Sequence, residues 1–210
     1  MKVFFVVVCS LALALTAVEA KKKEKKSHKS HAKKEHLVVS KGHGKGKKYK
    51  AQKFKLQTKA RPGHIHSVKF EHNRHIAGSE RWAGANYHAF RNYRSVWHDR
   101  SWWNSHYNRV VFAYGGWYYW NAGWWYPAWG YAPNAYYAYD GPIYAYNDLP
   151  PDQVVANVQA ALQQQGYYRG DVDGLLGPLT RAAIATYQRD HGLYVTSAID
   201  RPTLEALGMT

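Results

Sequence analysis

Cysteine is almost missing from this chain. Its one thiol, Cys9, lies inside an apolar N-terminal run. If that run is removed, the remainder forms no disulfide, carries no thiolate nucleophile and builds no cysteine-containing zinc site. Acidic residues are also scarce, with 14 Asp and Glu against 29 Lys and Arg. The deficit is local. Residues 21–61 hold 17 Lys and Arg against Glu24 and Glu35 alone, whereas residues 62–210 hold 11 of each sign. The high isoelectric point therefore describes one segment and not a basic fold. Long apolar runs are missing as well. After residue 20 nothing approaches the roughly 20 apolar residues that span a bilayer.

What is present at the start has the layout of a secretory signal peptide over residues 1–20. Lys2 supplies a short positive region, Val3–Val8 and Leu11–Leu15 the apolar stretch, and Val18 and Ala20 the small residues before a cut after Ala20. A membrane anchor fits less well, because Lys21 ends the apolar run early. A lipid anchor on Cys9 is disfavoured by the apolar residues that follow it. The expected product is exported, to the periplasm or cell envelope or beyond it, with no transmembrane segment left after cleavage.

Residues 21–61 are rich in Lys and His and poor in large apolar residues. They bury too little apolar area to offset their conformational entropy, and so read as a disordered tail. Residues 62–148 form an aromatic-rich region that contains all nine Trp, between Trp82 and Trp129. Spacings of three and four at Tyr87, Phe90, Arg91, Arg94 and Trp97 predict a short amphipathic helix. Residues 110–126 predict a β-hairpin: a run from Val110 to Tyr114, then Trp117–Trp120, a three-residue loop Asn121–Gly123, and Trp124–Tyr126. The clustered rings serve either as a carbohydrate or membrane platform or as the core of a chain short of Leu and Ile.

Leu149-Pro150-Pro151 marks a boundary before a helical segment, residues 149–210. Asp152 is a candidate N-cap. Val154, Val155, Val158, Ala161 and Leu162 recur at spacings of three and four, the mark of one buried helical face, and Gly166 is a candidate C-cap. Pro178 suits the first turn of a second helix, which carries Leu179, Ala183, Ile184 and Tyr187 inward and ends at Gly192. Asp200 caps a third helix from about Arg201 to Leu207, with Leu204 and Leu207 facing the core. The fold class is thus mixed. An all-α segment of three helices at the C-terminus follows a partly β aromatic region and a disordered basic tail.

The ordered set Val158-Gln159, Leu162, Gly166-Tyr167-Tyr168, Gly170, Val172-Asp173-Gly174, Gly177, Thr180, Ala183-Ile184, Tyr187-Gln188, Gly192-Leu193, Ile199-Asp200 and Thr203-Leu204 resembles the peptidoglycan-binding domain type 1 of cell-wall proteins. It departs at Thr196-Ser197, where such domains often carry Gly. The resemblance implies a three-helix bundle that holds the polymer without cutting it.

Peptidoglycan offers sugar rings, N-acetyl groups and peptides ending in carboxylates. Aromatic faces and hydrogen-bond donors recognise these. Tyr167, Tyr168, Arg169, Asp171 and Asp173 in the loop before helix two are candidate contacts, with Thr180, Arg181 and Gln188 on that helix. The free N–H groups of its first turn suit a carboxylate, though Pro178 removes one donor. For each residue a purely structural role competes: Asp173-Gly174 shapes a turn, Thr180 bonds the helix start, and Tyr167 covers a small core.

Other chemistries find little support. Asp171-Val172-Asp173-Gly174 has the start of a calcium loop without its later oxygen ligands or closing Glu. His64-Ile65-His66, His72 and His75 lack a carboxylate or Cys to complete a metal set. No Ser-His-Asp, Cys-His or His-Glu-x-x-His signature appears, and Asp99 with Asp140 is weak evidence for a carboxylate pair. The sequence therefore predicts a non-catalytic binder of peptidoglycan that uses no cofactor or metal. The basic tail suits anionic envelope polymers, and export argues against nucleic acid. A wall-targeted hydrolase with its catalytic part in residues 62–147, and a structural surface protein with a non-binding bundle, are the competing readings.

Overall fold

A computed structural model describes residues 48–59, 63 and 67–209. The apolar leader, the basic residues up to Lys47 and the pair His64 and His66 lie outside them. Among the described residues no helix is long and apolar enough to cross a membrane.

In the aromatic region two single 3-10 turns, Ser79–Arg81 and Ala85–Tyr87, precede two short helices, α1 (His88–Asn92) and α2 (Arg100–His106). The helix expected across Tyr87–Trp97 is therefore only one turn long, and it stops where Tyr93 turns extended. α2 starts at Asp99, whose side chain accepts from the Trp102 amide at 2.8 Å and so satisfies one of the free N–H groups of the first turn. An antiparallel meander follows: β1 (Val110–Ala113), β2 (Gly116–Asn121), β3 (Trp124–Pro127) and the two-residue β4 (Ile143–Tyr144), in the order β1-β2-β3-β4.

The hairpin expected over 110–126 is thus three strands joined by two tight turns. Asn121 pairs directly with Trp124, so the loop is Ala122-Gly123 and not the three residues Asn121–Gly123. Both turn residues have positive φ, as do Tyr114 and Gly115 in the turn between β1 and β2. Two-residue turns of this hand match the twist of the flanking strands.

The C-terminal region consists of α3 (Pro151–Gln164), α4 (Pro178–Asp190) and α5 (Arg201–Ala206). Pro150 occupies the N-cap position of α3, and Asp152 lies in its first turn. Asp200 caps α5 as expected, accepting from the Thr203 amide. All three helices end alike. The amides of Gly166 and Tyr167 turn back to Gln163 and Leu162, those of Gly192 and Leu193 to Arg189 and Gln188, and those of Gly208 and Met209 to Glu205 and Leu204. This pairing satisfies the last carbonyls of each helix and needs a left-handed residue, supplied by glycine.

The buried face of α4 is Thr180, Ala183, Ile184, Tyr187 and Gln188. Leu179 lies just beyond the edge of that stripe, about 40° round from Ala183 and 100° from Thr180. It is 58 % exposed and not inward as the spacing suggested.

The boundary at Leu149–Pro151 does not separate two cores. Tyr118, Trp125, Tyr139 and Ile143 of the aromatic region share one buried cluster with Val154, Val155, Val158, Leu162, Ile184 and Leu204 of the helices. Trp103, Ala128 and Tyr131 form a second cluster, so most of the rings serve as core. α3 is consequently buried on every side from Pro151 to Leu162.

One side of α3 is covered by residues 48–57, which the composition places in the tail. They run as an extended strap. Gln153 and Asn157 each grip it with a pair of hydrogen bonds. Phe54 donates to Gln153 Oε1 at 2.8 Å and accepts from its Nε2 at 2.9 Å. Gln52 exchanges bonds of 2.8 and 2.9 Å with Asn157 in the same way. The spacing explains the fit. Four helical residues rise about 6 Å, and two extended residues advance about 6.6 Å. Two amides one helical turn apart therefore meet alternate residues of the strap. Phe54, Leu56 and Thr58 turn inward while Lys53, Lys55 and Lys59 stay exposed.

Candidate functional site

The loop between α3 and α4 is built around one buried amide. Gln159 Nε2 lies within hydrogen-bond range of Asp173 Oδ1 (2.8 Å), Leu175 O (3.1 Å), Thr180 Oγ1 (3.1 Å) and Tyr168 Oη (3.2 Å). Its Oε1 accepts from the Gly174 amide at 2.8 Å. Asp173 Oδ1 also accepts from the Leu175 amide, and Thr180 donates to Leu175 O. The aromatic region holds the same loop from beneath. Tyr139 Oη donates to Gly174 O at 2.5 Å, and Tyr114 Oη donates to Asp173 O. Gly174 has φ +74°, and a Cβ there would meet Asp152 O at 2.8 Å and Leu56 Cδ1 at 2.9 Å. Only glycine suits that close approach.

The sequence candidates separate into two groups. Tyr168, Thr180 and Gln188 are buried, and Asp173 is half-buried; their polar atoms bond within the protein. Burial raises the Tyr168 phenol above its ordinary pKa, so it remains a neutral donor to Asp171 O. Gln188 plays for the loop before α5 the part that Gln159 plays here. Its Nε2 reaches Thr196, Ala198, Asp200 and Thr203, while its Oε1 accepts from the amides of Thr196 and Ser197.

Tyr167 is half-buried, its ring edge-on to Tyr187 at 5.1 Å and packed against the core, while Arg169 and Asp171 are exposed. Leu179 joins them, since its Cδ2 lies 2.8 Å from where a Gly170 Cβ would sit. Its exposure was not legible from the spacing of apolar residues. Arg181 stands apart from this group. Its guanidinium pairs with Asp140 at 2.8 Å, on the side where the aromatic region meets α4.

A half-open cavity of about 940 Å³ lies at the C-terminal ends of the three helices, lined by Lys48, Tyr49 and Lys50 of the strap and by Gln164, Tyr187 and His191. His191 stacks on Tyr187 with ring centres 3.9 Å apart. Burial pushes the Tyr187 phenol up to about 12. Neither residue stood among the sequence candidates, although Tyr187 lies on the predicted inner face.

The two acids weighed as a catalytic pair have other work. Asp99 caps α2, and Asp140 is shared by Arg74 and Arg181. Among the described residues no three His, Cys, Asp or Glu side chains group closely enough to hold a metal ion.

Comparison with known proteins bears on the C-terminal helices. Residues 151–207 match the family described as "Putative peptidoglycan binding domain". The chain is 49 % identical over 51 residues to the localization factor PodJL of Caulobacter vibrioides, a stretch covering 24 % of this chain and 5 % of that protein. It is 36 % identical over 76 residues to the N-acetylmuramoyl-L-alanine amidase CwlM of Mycobacterium tuberculosis, covering 36 % of this chain and 17 % of that protein. The chain therefore spans only a small part of the length of these relatives. No solved structure matches. The match to the peptidoglycan-binding domain family runs across all three helices α3, α4 and α5.

Proposed function

We propose that this chain is an exported, non-catalytic protein of the cell envelope that holds peptidoglycan through residues 151–207. The observation that carries the reading is the family match over three complete, capped helices. The exposed group of Arg169, Asp171 and Leu179, with the half-buried ring of Tyr167, is the contact surface that the buried Gln159 network leaves free. It offers a ring, a guanidinium, a carboxylate and an apolar side chain to a polymer of sugars and short peptides. The basic segment before residue 48 adds salt-sensitive attraction to anionic envelope polymers.

The test uses the whole chain, because the C-terminal helices alone would expose the strap side and the sheet side of α3. The chain is mixed with insoluble peptidoglycan at low salt and at about 1 M salt, where the screening length falls to about 3 Å. Pelleting that persists at high salt, and falls on Arg169→Ala with Leu179→Ser, is the expected result. A folded chain that stays in the supernatant at high salt overturns the reading. Release of soluble wall fragments during the incubation overturns its non-catalytic part.

A further inference from the structure

Two arginines from opposite parts of the chain converge on one carboxylate. Arg74 Nη2 lies 2.9 Å from Asp140 Oδ2, and Arg181 Nη2 lies 2.8 Å from Asp140 Oδ1. All three side chains are partly open, at 29 %, 34 % and 28 % exposure for Arg74, Arg181 and Asp140. They line a cleft of about 290 Å³, with His75 and Thr196 beside them. One aspartate accepts from both, so the cluster keeps an excess of one positive charge. A guanidinium carries five N–H donors. Arg74 spends one on Asp140, and Arg181 spends one there and a longer one, at 3.4 Å, on Ser197 O.

Both arginines stand on fixed backbone. Arg74 is pinned to the buried Ser95, its amide donating to Ser95 Oγ at 3.0 Å and its carbonyl accepting from the Ser95 amide at 3.1 Å. Arg181 occupies the first turn of α4, where the helix dipole already makes the potential positive. A cation is disfavoured there unless an anion accompanies it. Asp140 supplies one such anion and leaves donors for a second.

We propose that this cleft is a carboxylate-binding site, taking the free carboxylate of a short peptide across the junction of the aromatic region and α4. Planar guanidinium forks match carboxylate geometry, and charge-assisted bonds in a partly dry cleft are about twice as strong as neutral ones. The volume lies at the low end for ligand sites, so it suits one residue-sized group. The site deepens the peptidoglycan reading, whose peptides end in carboxylates, and rests on that reading only for its natural ligand.

The experiment titrates the whole chain with an N-acetylated dipeptide bearing a free C-terminal carboxylate, and with the same dipeptide as its carboxamide. The carboxylate form is expected to bind about tenfold more tightly. Arg74→Gln removes that preference, and Arg181→Lys weakens it because the charge stays while the fork is lost. Asp140→Asn moves affinity the other way, since it frees both guanidiniums from their internal partner. A bridge that only ties the two regions together predicts lower thermal stability in all three variants and no difference between the two dipeptides. Equal binding of both, or binding of neither, overturns the proposal. Pelleting with peptidoglycan is scored separately: a chain that pellets but ignores the dipeptide refutes the cleft alone, and one that binds the dipeptide but does not pellet refutes the peptidoglycan reading alone.

Discussion

Replacing Gln159 by Leu tests the idea that the loop before α4 is set from below by one amide. Leucine keeps nearly the same volume and removes the polar atoms. The amide carries two protons, so it makes about two strong donor bonds among its four acceptors. Its oxygen accepts one more from the Gly174 amide at 2.8 Å. Three net bonds at about 1 kcal/mol each give a loss of about 3 kcal/mol. That is a large share of the 5–15 kcal/mol typical of a folded protein. For a chain of this size it corresponds to a fall in Tm of about 6–12 °C. Thermal unfolding followed by far-ultraviolet circular dichroism reads it directly. Gln159→Glu sharpens the test. It keeps the acceptor for Gly174 but sets a second carboxylate beside Asp173 Oδ1, now 2.8 Å from the amide nitrogen. Its loss should be at least as large at neutral pH and should shrink in acid. A loss below about 1 kcal/mol in the leucine variant refutes the reasoning, because a buried amide hub cannot be that cheap to remove.

Two further outcomes follow from the same packing. Asn157→Ala strips both bonds to the Gln52 backbone and strands them at a partly buried site, so unfolding in urea should show about 2 kcal/mol less stability, while an alanine at the exposed Gln164 should change little. Asp152 is buried, its Oδ1 has no hydrogen-bond partner, and desolvation raises its pKa above the ordinary value. A raised carboxyl favours folding while protonated and loses that contribution as pH rises through its folded value. The Tm of Asp152→Asn relative to the parent should therefore improve between about pH 4 and pH 7, and a flat difference across that range counts against the assignment.

The C-terminal helices could be read from the sequence because local chemistry and global packing agree there. Apolar residues recur at helical spacing, Asp200 caps, and a glycine stands after each helix. Leu179 misled because its spacing to Ala183 is helical, yet the stripe that reaches the core begins at Thr180. The candidate residues could be named from the sequence, but not how the fold divides them: Gln188 serves the loop before α5 and Arg181 pairs with Asp140. Gln159 looks like one polar break in an apolar face, and nothing local shows that it reaches Tyr168, Asp173 and Thr180. The strap escaped notice for a related reason. Its alternation of Phe54, Leu56 and Thr58 with exposed Lys is a strand-like pattern, masked by lysine content and paired with side chains a hundred residues away.

The aromatic region shows the limit from the other side. Its rings show a helical spacing only around Tyr87–Trp97, and the two-residue turns at Tyr114-Gly115 and Ala122-Gly123 set the register of the strands they join. The pairing of Arg74 with Arg181 through Asp140 depends on how the sheet and α4 meet, which no local signal reports.

The strap also governs when the fold can close. The amide of Tyr49 bonds to Gly208 O, and Gln52 bonds to Asn157. Contacts of such sequence separation give a high contact order, and they form only after the loop between them has been closed at an entropic cost. During synthesis, residues 48–57 can therefore dock fully only after the last turn of α5 has emerged. A chain truncated before Gly208 loses the carbonyl that holds Tyr49.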